Sequence, residues 1–170
     1  MMRELKRTMA ITRRDAGPED EPFLFQVFAC TRAAELAQVP WSDEQRAAFL
    51  TMQFTAQHSY YHEHYPDAAY QVILRDDEPV GRLYVRREKE RIRILDITVL
   101  PDHRNAGIGR GLIQSLLDEA AEAKQKVQIY VESFNPSLAL FQKMNFSQLE
   151  EDGFNLLLEW RPPAPTADVP

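Results

Sequence analysis

Residues 99–112 read Val-Leu-Pro-Asp-His-Arg-Asn-Ala-Gly-Ile-Gly-Arg-Gly-Leu, and no other stretch narrows the fold as much. A β-rich segment over 93–99 enters this run. An amphipathic helix leaves it, with Ile108, Leu112, Leu116 and Ala120 recurring every four residues. Gly107, Gly109 and Gly111 therefore fall where a strand turns into a helix. The first N–H groups of a helix have no intrahelical partner and carry the positive end of its dipole. Glycines at that point let an anion approach the backbone closely, so the turn is built to hold a phosphate.

The spacing from Arg104 to Gly109 arises by chance at roughly 10⁻³ of starting positions, so its weight comes from the strand and helix around it. A P-loop would need Gly-Lys-Ser/Thr, which is absent, and a dinucleotide fingerprint would need glycine where Leu112 stands. A net charge of −6 gives no support to binding a nucleic-acid backbone, and no nucleic-acid partner is expected. Cys30 is the only cysteine, which rules out an internal disulfide and a cysteine metal cluster; it reads as a small buried apolar residue. No apolar run approaches the ~18–20 residues of a membrane span. The basic segment 1–14 lacks the apolar centre of a signal peptide, so no membrane partner and a cytoplasmic location are expected.

With 170 residues, one globular domain over 1–160 is expected, followed by a proline-rich, disordered tail over 161–170. A first strand is predicted over 10–14. Two helices follow, over about 19–38 and 43–63. The first places Leu24, Val27, Phe28 and Leu36 at apolar positions. The second starts on Ser42 as N-cap with Gln45 completing a capping box, and aligns Ala47, Leu50 and Phe54. Strands over 69–75, 80–87 and 92–99, joined by short turns, make an antiparallel meander. After the glycine turn and its helix to about 123, a strand is predicted over 126–132. Asn135-Pro136 then opens a helix over 137–144, and 147–151 with 155–160 close the chain as a hairpin.

The order of strand, Arg104-x-x-Gly107-x-Gly109, helix, strand, Asn135-Pro-Ser, helix and Phe146 resembles the GNAT N-acetyltransferase superfamily over about residues 69–160. The resemblance implies an α/β fold of the α+β type. Its mixed, mostly antiparallel central sheet would have about 6–7 strands flanked by helices, splayed between the strands at 92–99 and 126–132. It implies acetyl-CoA as acyl donor, with no metal. The pyrophosphate would lie on the N–H groups of Gly107, Ile108, Gly109, Arg110, Gly111 and Leu112, with Arg104, Asn105 and Ala106 beside it. The pantetheine arm would pair with strand edges at Ile97, Thr98 and Val99, an edge that a splay leaves open. Asn135 would contact the arm from the other side, and Phe141 would border the site. Asn135 as a simple helix cap is the competing role, and the two can coexist.

The proton-handling residues depart from the family pattern. Many members carry a thiolate-protonating Tyr five residues before the Phe at position 146; this chain has Phe141. A Glu often stands on the strand before the glycine turn, where this chain has Arg93 and Leu95. Asp96 and Glu132 are the candidate bases, each with a solvated or capping carboxylate as the plain alternative. Tyr130, Ser137 or water could protonate the thiolate. Asn145 replaces the usual glycine before Phe146 and tolerates a left-handed helix end.

The segment His58-Ser-Tyr-Tyr-His-Glu-His-Tyr65 reads as aromatic packing at a helix end or as an acceptor-pocket wall; it lacks His-Glu-x-x-His. Glu35, Trp41 and the turn at 150–154 are further wall candidates. The acceptor implied is a primary amine on a small molecule or peptide, attacking the thioester directly. An acyl-CoA-binding sensor with little catalysis is the rival reading, motivated by the missing Tyr. A homodimer is compatible with the chain, which shows no long apolar surface stripe to specify one.

Overall fold

The computed structural model describes residues 9–164. Part of the basic N-terminal segment, 1–8, and the end of the expected tail, 165–170, lie outside the described residues; 161–164 follow the last strand without regular structure. The elements are β1 (Ile11–Asp15), α1 (Glu21–Ala37), α2 (Asp43–His64), β2 (Ala69–Arg75), β3 (Glu78–Arg87), β4 (Arg91–Val99), α3 (Ile108–Glu122), β5 (Lys126–Glu132), α4 (Leu138–Lys143), β6 (Ser147–Asp152) and β7 (Asn155–Trp160). The seven strands form one mixed, mostly antiparallel sheet in the order β1-β2-β3-β4-β5-β7-β6, as expected. Short 3₁₀ turns precede α1 and α3. The chain forms two compact units, described in turn.

The first unit comprises 9–66, 70–83 and 98–106. Pro18 and Pro22 sit in the opening turns of the α1 region, where no intrahelical N–H is lost. Leu24, Val27, Phe28 and Leu36 of α1 are buried. The Ser42–Gln45 capping box forms in both directions, at 2.9 and 3.2 Å. Arg46 in the next turn reaches back to the α1 C-terminus, donating to the carbonyls of Leu36 (3.0 Å) and Val39 (2.9 Å). Leu36 O also accepts from Val39 N at 3.2 Å and Val39 O from Trp41 N at 2.8 Å, so the guanidinium is a further, charged donor to each and complements the dipole. Phe54 is the buried anchor of α2, with its ring 5.5 Å from Phe25 and 5.9 Å from Phe28. Ala47, expected on that face, is exposed. The covered side of α2 runs instead through Arg46, Phe49, Leu50, Gln53, Phe54, Gln57 and Tyr61.

The turn from β2 to β3 is Asp76-Asp77, both left-handed at φ +48 and +69. Two positive φ values match the twist of a tight hairpin, and aspartate tolerates them. Asp76 also ties β1 to the turn: its N–H donates to Ala10 O (2.9 Å) and its carboxylate accepts from Ala10 N (3.1 Å).

Asp20 is a buried carboxylate of this unit, gripped by Arg14 through two bonds of 2.7 Å and by the Gly17 N–H at 2.8 Å. The Arg14 hydrogen bond, then the Gly17 N–H, draw its pKa from the ordinary 3.8 to about 2. A lowered pKa favours the folded state above the unfolded value, and that gain is lost as pH falls from about 4 toward 2. Arg14 is partly exposed, so the ionic share is screened, and Asp20→Asn is expected to cost about 1–2 kcal/mol at pH 7. Urea unfolding of both proteins at pH 7 and pH 2 checks this: the gap should close at the lower pH.

The second unit comprises 67–69, 84–97 and 107–164. β4 and β5 run parallel and pair over 91–94 with 126–129. Their shared face carries Ile92, Ile94, Val127 and Ile129, all buried. Residues 95–99 of β4 continue past this ladder, while β5 goes on pairing antiparallel with β7 to Glu132–Asn155. α3 lays Ile108, Leu112, Ile113, Leu116, Leu117 and Ala120 into the core. Arg87 of β3 grips Glu119 of α3 with two bonds, 2.7 and 3.0 Å.

Both helices of this unit end on a left-handed residue. Lys124 (φ +57) follows α3, with Gln125 N bonding Ala120 O at 2.8 Å. Asn145 (φ +69) follows α4, with Phe146 N bonding Phe141 O at 3.1 Å. This six-to-one closure brings the outer residue onto the helix side chain it bonds, and Phe146 meets Phe141 edge-on at 5.1 Å. α4 starts at Leu138, later than Pro136 suggested, because 136–137 stay in a turn. Glu159 is buried on β7. Burial pushes its carboxyl up, but hydrogen bonds from Arg161 and Gln128, with the charges of Arg161 and Lys126, hold it below the ordinary value.

Candidate active site

A 3₁₀ turn at Pro101–His103 takes the chain from β4 to the glycine turn. Asn105 (φ +62) and Gly107 (φ +80) are left-handed, and Gly107 is the N-cap of α3. The helix ladder begins with Gly111 N bonding Gly107 O at 3.0 Å, so the N–H groups of Ile108, Gly109 and Arg110 precede it. No side chain caps this terminus and no acid stands in its first turn. α2 is the contrast, with Ser42 as cap and Asp43 and Glu44 in its first turn. Ile108 and Leu112 are buried and hold the helix to the core, while Asn105, Ala106, Gly107, Arg110 and Gly111 are exposed.

A Cβ built at Gly107, Gly109 or Gly111 meets nothing within 4 Å. Internal packing therefore requires none of these glycines, and Gly109 and Gly111 each cost a helix about 0.5–1 kcal/mol relative to Ala. Together with the uncapped first turn, that open space leaves the first N–H groups of α3 accessible to an anion.

In the first unit, Thr98 and Val99 end β4 half-buried. Gly81 of β3 lies against them: a Cβ there would stand 2.3 Å from Thr98 O and 3.1 Å from Val99 Cα. Leu100 N bonds Val80 O at 2.8 Å. Gly81 stands in none of the sequence motifs, although a single glycine inside a strand is the usual sign of a close backbone approach. Arg104 turns toward the strand: its Nε donates to Val99 O (2.9 Å), and Nη2 lies 3.9 Å from Cys30 Sγ. Cys30 is half-buried and its thiol donates to Val27 O at 3.0 Å.

The proton-handling candidates divide between the faces of the sheet in the second unit. Strand alternation puts Asp96 with Ile92 and Ile94. Tyr130 and Glu132 share the other face of β5 with Gln128. Directly paired residues extend that face outward, Glu132 with Asn155 and Asp152, and Tyr130 with Leu157 and Glu150. Tyr130 is 53% exposed, and the Arg93 guanidinium lies 5.5 Å from its ring centre. Beyond them Phe134 and Phe154, both exposed, meet edge-on at 6.1 Å.

Asn135 is exposed, and its side-chain oxygen accepts from Ser137 N (2.9 Å) and Ser137 Oγ (2.8 Å) in a turn ahead of α4, whose N-cap is Ser137 and has no side-chain cap. Phe141, 1% exposed, is a core residue, and Ile97 is half-buried on β4.

The histidine-rich end of α2 forms an aromatic column in the first unit. Phe54, His58, His62 and Tyr70 follow one another at ring separations of 5.6, 4.4 and 4.3 Å. Burial, and secondarily His58, hold the His62 pKa below its ordinary value. Among the described residues, no three His, Cys, Asp or Glu are grouped to hold a metal, and no helix is long and apolar enough to cross a membrane.

The family model of the acetyltransferase (GNAT) family matches residues 32–146, more than half of the chain. No curated protein matches the sequence. Solved structures share the fold at low identity. The PaiA N-acetyltransferase of Thermoplasma acidophilum, in complex with coenzyme A, is 15% identical with a TM-score of 0.68, covering 89% of this chain and 99% of its own. An acetyltransferase from Thermus thermophilus is 18% identical with a TM-score of 0.63, covering 89% and 96%. The ribosomal-protein-S18-alanine N-acetyltransferase of Escherichia coli is 15% identical with a TM-score of 0.59, covering 94% and 99%.

Proposed function

The chain belongs to the acetyltransferase (GNAT) family, and from that premise we propose that it is an N-acetyltransferase, moving an acetyl group from acetyl-CoA to a primary amine of a small molecule or peptide. The observation that carries this reading is the α3 N-terminus: three glycines whose Cβ positions face open space, on a helix start with no side-chain cap. Its N–H groups would hold the pyrophosphate. The end of β4 would line the pantetheine arm with backbone groups. Bound acetyl-CoA supplies a thioester, whose acyl carbon forms a bond to the amine nitrogen as its bond to sulfur breaks. The amine must first lose a proton to a base, and the departing thiolate must gain one.

Glu132 and Tyr130 share one face of β5, which suits them to those two roles, Glu132 taking the ammonium proton and Tyr130 supplying the thiolate. Asp96 belongs to the face of Ile92 and Ile94. Glu132→Gln and Tyr130→Phe are each expected to lower kcat about a hundredfold, a typical general acid–base contribution, while Asp96→Asn stays within about threefold. Release of free CoA, measured with polyamines, amino acids, aminoglycosides and peptide N-termini, tests the reading. Acetyl-CoA binding without turnover on any amine would favour a sensor, the reading that Phe141 at the usual tyrosine position supports. Failure to bind CoA would overturn both.

A further inference from the structure

Arg104 opens the glycine motif, and its resemblance-based role is a positive charge beside the pyrophosphate. The geometry points to a different one. We propose that Arg104 is a positioning residue for the end of β4, using its guanidinium to hold the Val99 carbonyl; this rests on the acetyl-CoA reading above.

The chain leaves the sheet at Leu100, whose N–H goes to Val80 O at 2.8 Å. Pro101, with no N–H, comes next. Five residues past Val99, the Arg104 Nε–H returns to the Val99 carbonyl at 2.9 Å and closes the turn over the strand end. Nη2 reaches toward Cys30 Sγ of α1 at 3.9 Å, so the guanidinium spans from α1 to β4. Below, Gly81 lets β3 press against Thr98 O. Thr98 and Val99, the residues expected to face the pantetheine arm, are thus fixed from the β3 side by backbone and from the loop side by Arg104. A guanidinium suits this task because its Nε–H has a fixed direction in a rigid plane, whereas a lysine ammonium carries the charge without it.

The experiment compares wild type with Arg104→Ala and Arg104→Lys. Calorimetry measures affinity for CoA and for 3′-phospho-ADP, which carries the adenosine 3′-phosphate and the pyrophosphate but no pantetheine. Hydrogen exchange of the Leu100 amide is followed in the unliganded proteins. Both variants should bind CoA about tenfold more weakly, the value of one directed hydrogen bond from a charged donor. Both should bind 3′-phospho-ADP within about twofold of wild type and exchange Leu100 about tenfold faster. Lysine restoring CoA affinity, or Arg104→Ala weakening both ligands alike, would identify a phosphate contact and overturn the proposal. If wild type binds neither ligand, the acetyl-CoA reading fails, and Leu100 exchange in the free protein still decides whether the clamp exists: unchanged exchange in both variants overturns it.

Discussion

Gly109→Val is expected to melt at or slightly above the temperature of the parent and to lose at least about a hundredfold in CoA affinity. These opposite outcomes follow from one fact: beyond its chain neighbours and the backbone of its own helix, a Cβ at this position has no atom within 4 Å. For stability, the added Cβ meets no other part of the folded chain and removes backbone freedom from the unfolded one, a gain of a few tenths to about 1 kcal/mol. For binding, the same side chain would fill the space that lets an anion reach the first N–H groups of α3. Loss of two or three charge-assisted hydrogen bonds at about 1.5–3 kcal/mol each accounts for the size of the effect. Thermal melting and calorimetry with CoA on the same preparation check both halves. A variant with parental CoA affinity would remove the helix start from the site, and a large drop in melting temperature would show that Gly109 serves packing.

Gly81→Ala should give the reverse pattern in stability. The added carbon would sit 2.3 Å from Thr98 O and 3.2 Å from Thr98 C. Both neighbours are backbone, held in the sheet by bonds such as Leu100 N to Val80 O, and cannot swing aside as a side-chain tip could. Relief requires β3 and β4 to separate, at the usual cost of overpacking plus strained ladder bonds, about 2–4 kcal/mol. For a chain of this size that corresponds to roughly 5–15 °C in melting temperature. A melt within about 2 °C of the parent would contradict the close approach. CoA affinity should fall as well, because the displaced residues are Thr98 and Val99.

The contrast between these two glycines shows what can be read from residue order and what cannot. The glycines of the α3 turn are legible because their meaning is local: a strand period before them, a helical period after them, and a missing cap. β5 and the closing hairpin were legible for the same reason, through the alternation of Val127, Ile129 and Val131 and through Gly153, which takes φ +59 in the turn. Gly81 depends on Thr98, a residue on the next strand, and no local pattern names that partner. Ala47 failed differently. Several helical stripes of α2 carry comparable apolar content, and its fit against α1 chose the one containing Arg46 and Phe49. Phe141 resolves as packing: the left-handed Asn145 folds Phe146 onto it, a contact set by the end of α4. The proton-handling candidates stayed unsorted because period-two alternation gives relative faces only within one strand. The pairing of Glu132 with Asn155 and Asp152 became visible only with the β5–β7–β6 register.

β6 ends the sheet, with every residue from Ser147 to Asp152 exposed. An outermost strand offers a row of backbone donors and acceptors to any passing strand, and in a concentrated solution it is where one molecule could extend another's sheet. The register irregularity between Gln148 and Glu150 interrupts that row, and Glu150, Glu151 and Asp152 repel an identical edge. This is protection by charge, so neutralising Glu150, Glu151 and Asp152 by substitution should leave each molecule folded while making the protein prone to strand-to-strand association in concentrated solution.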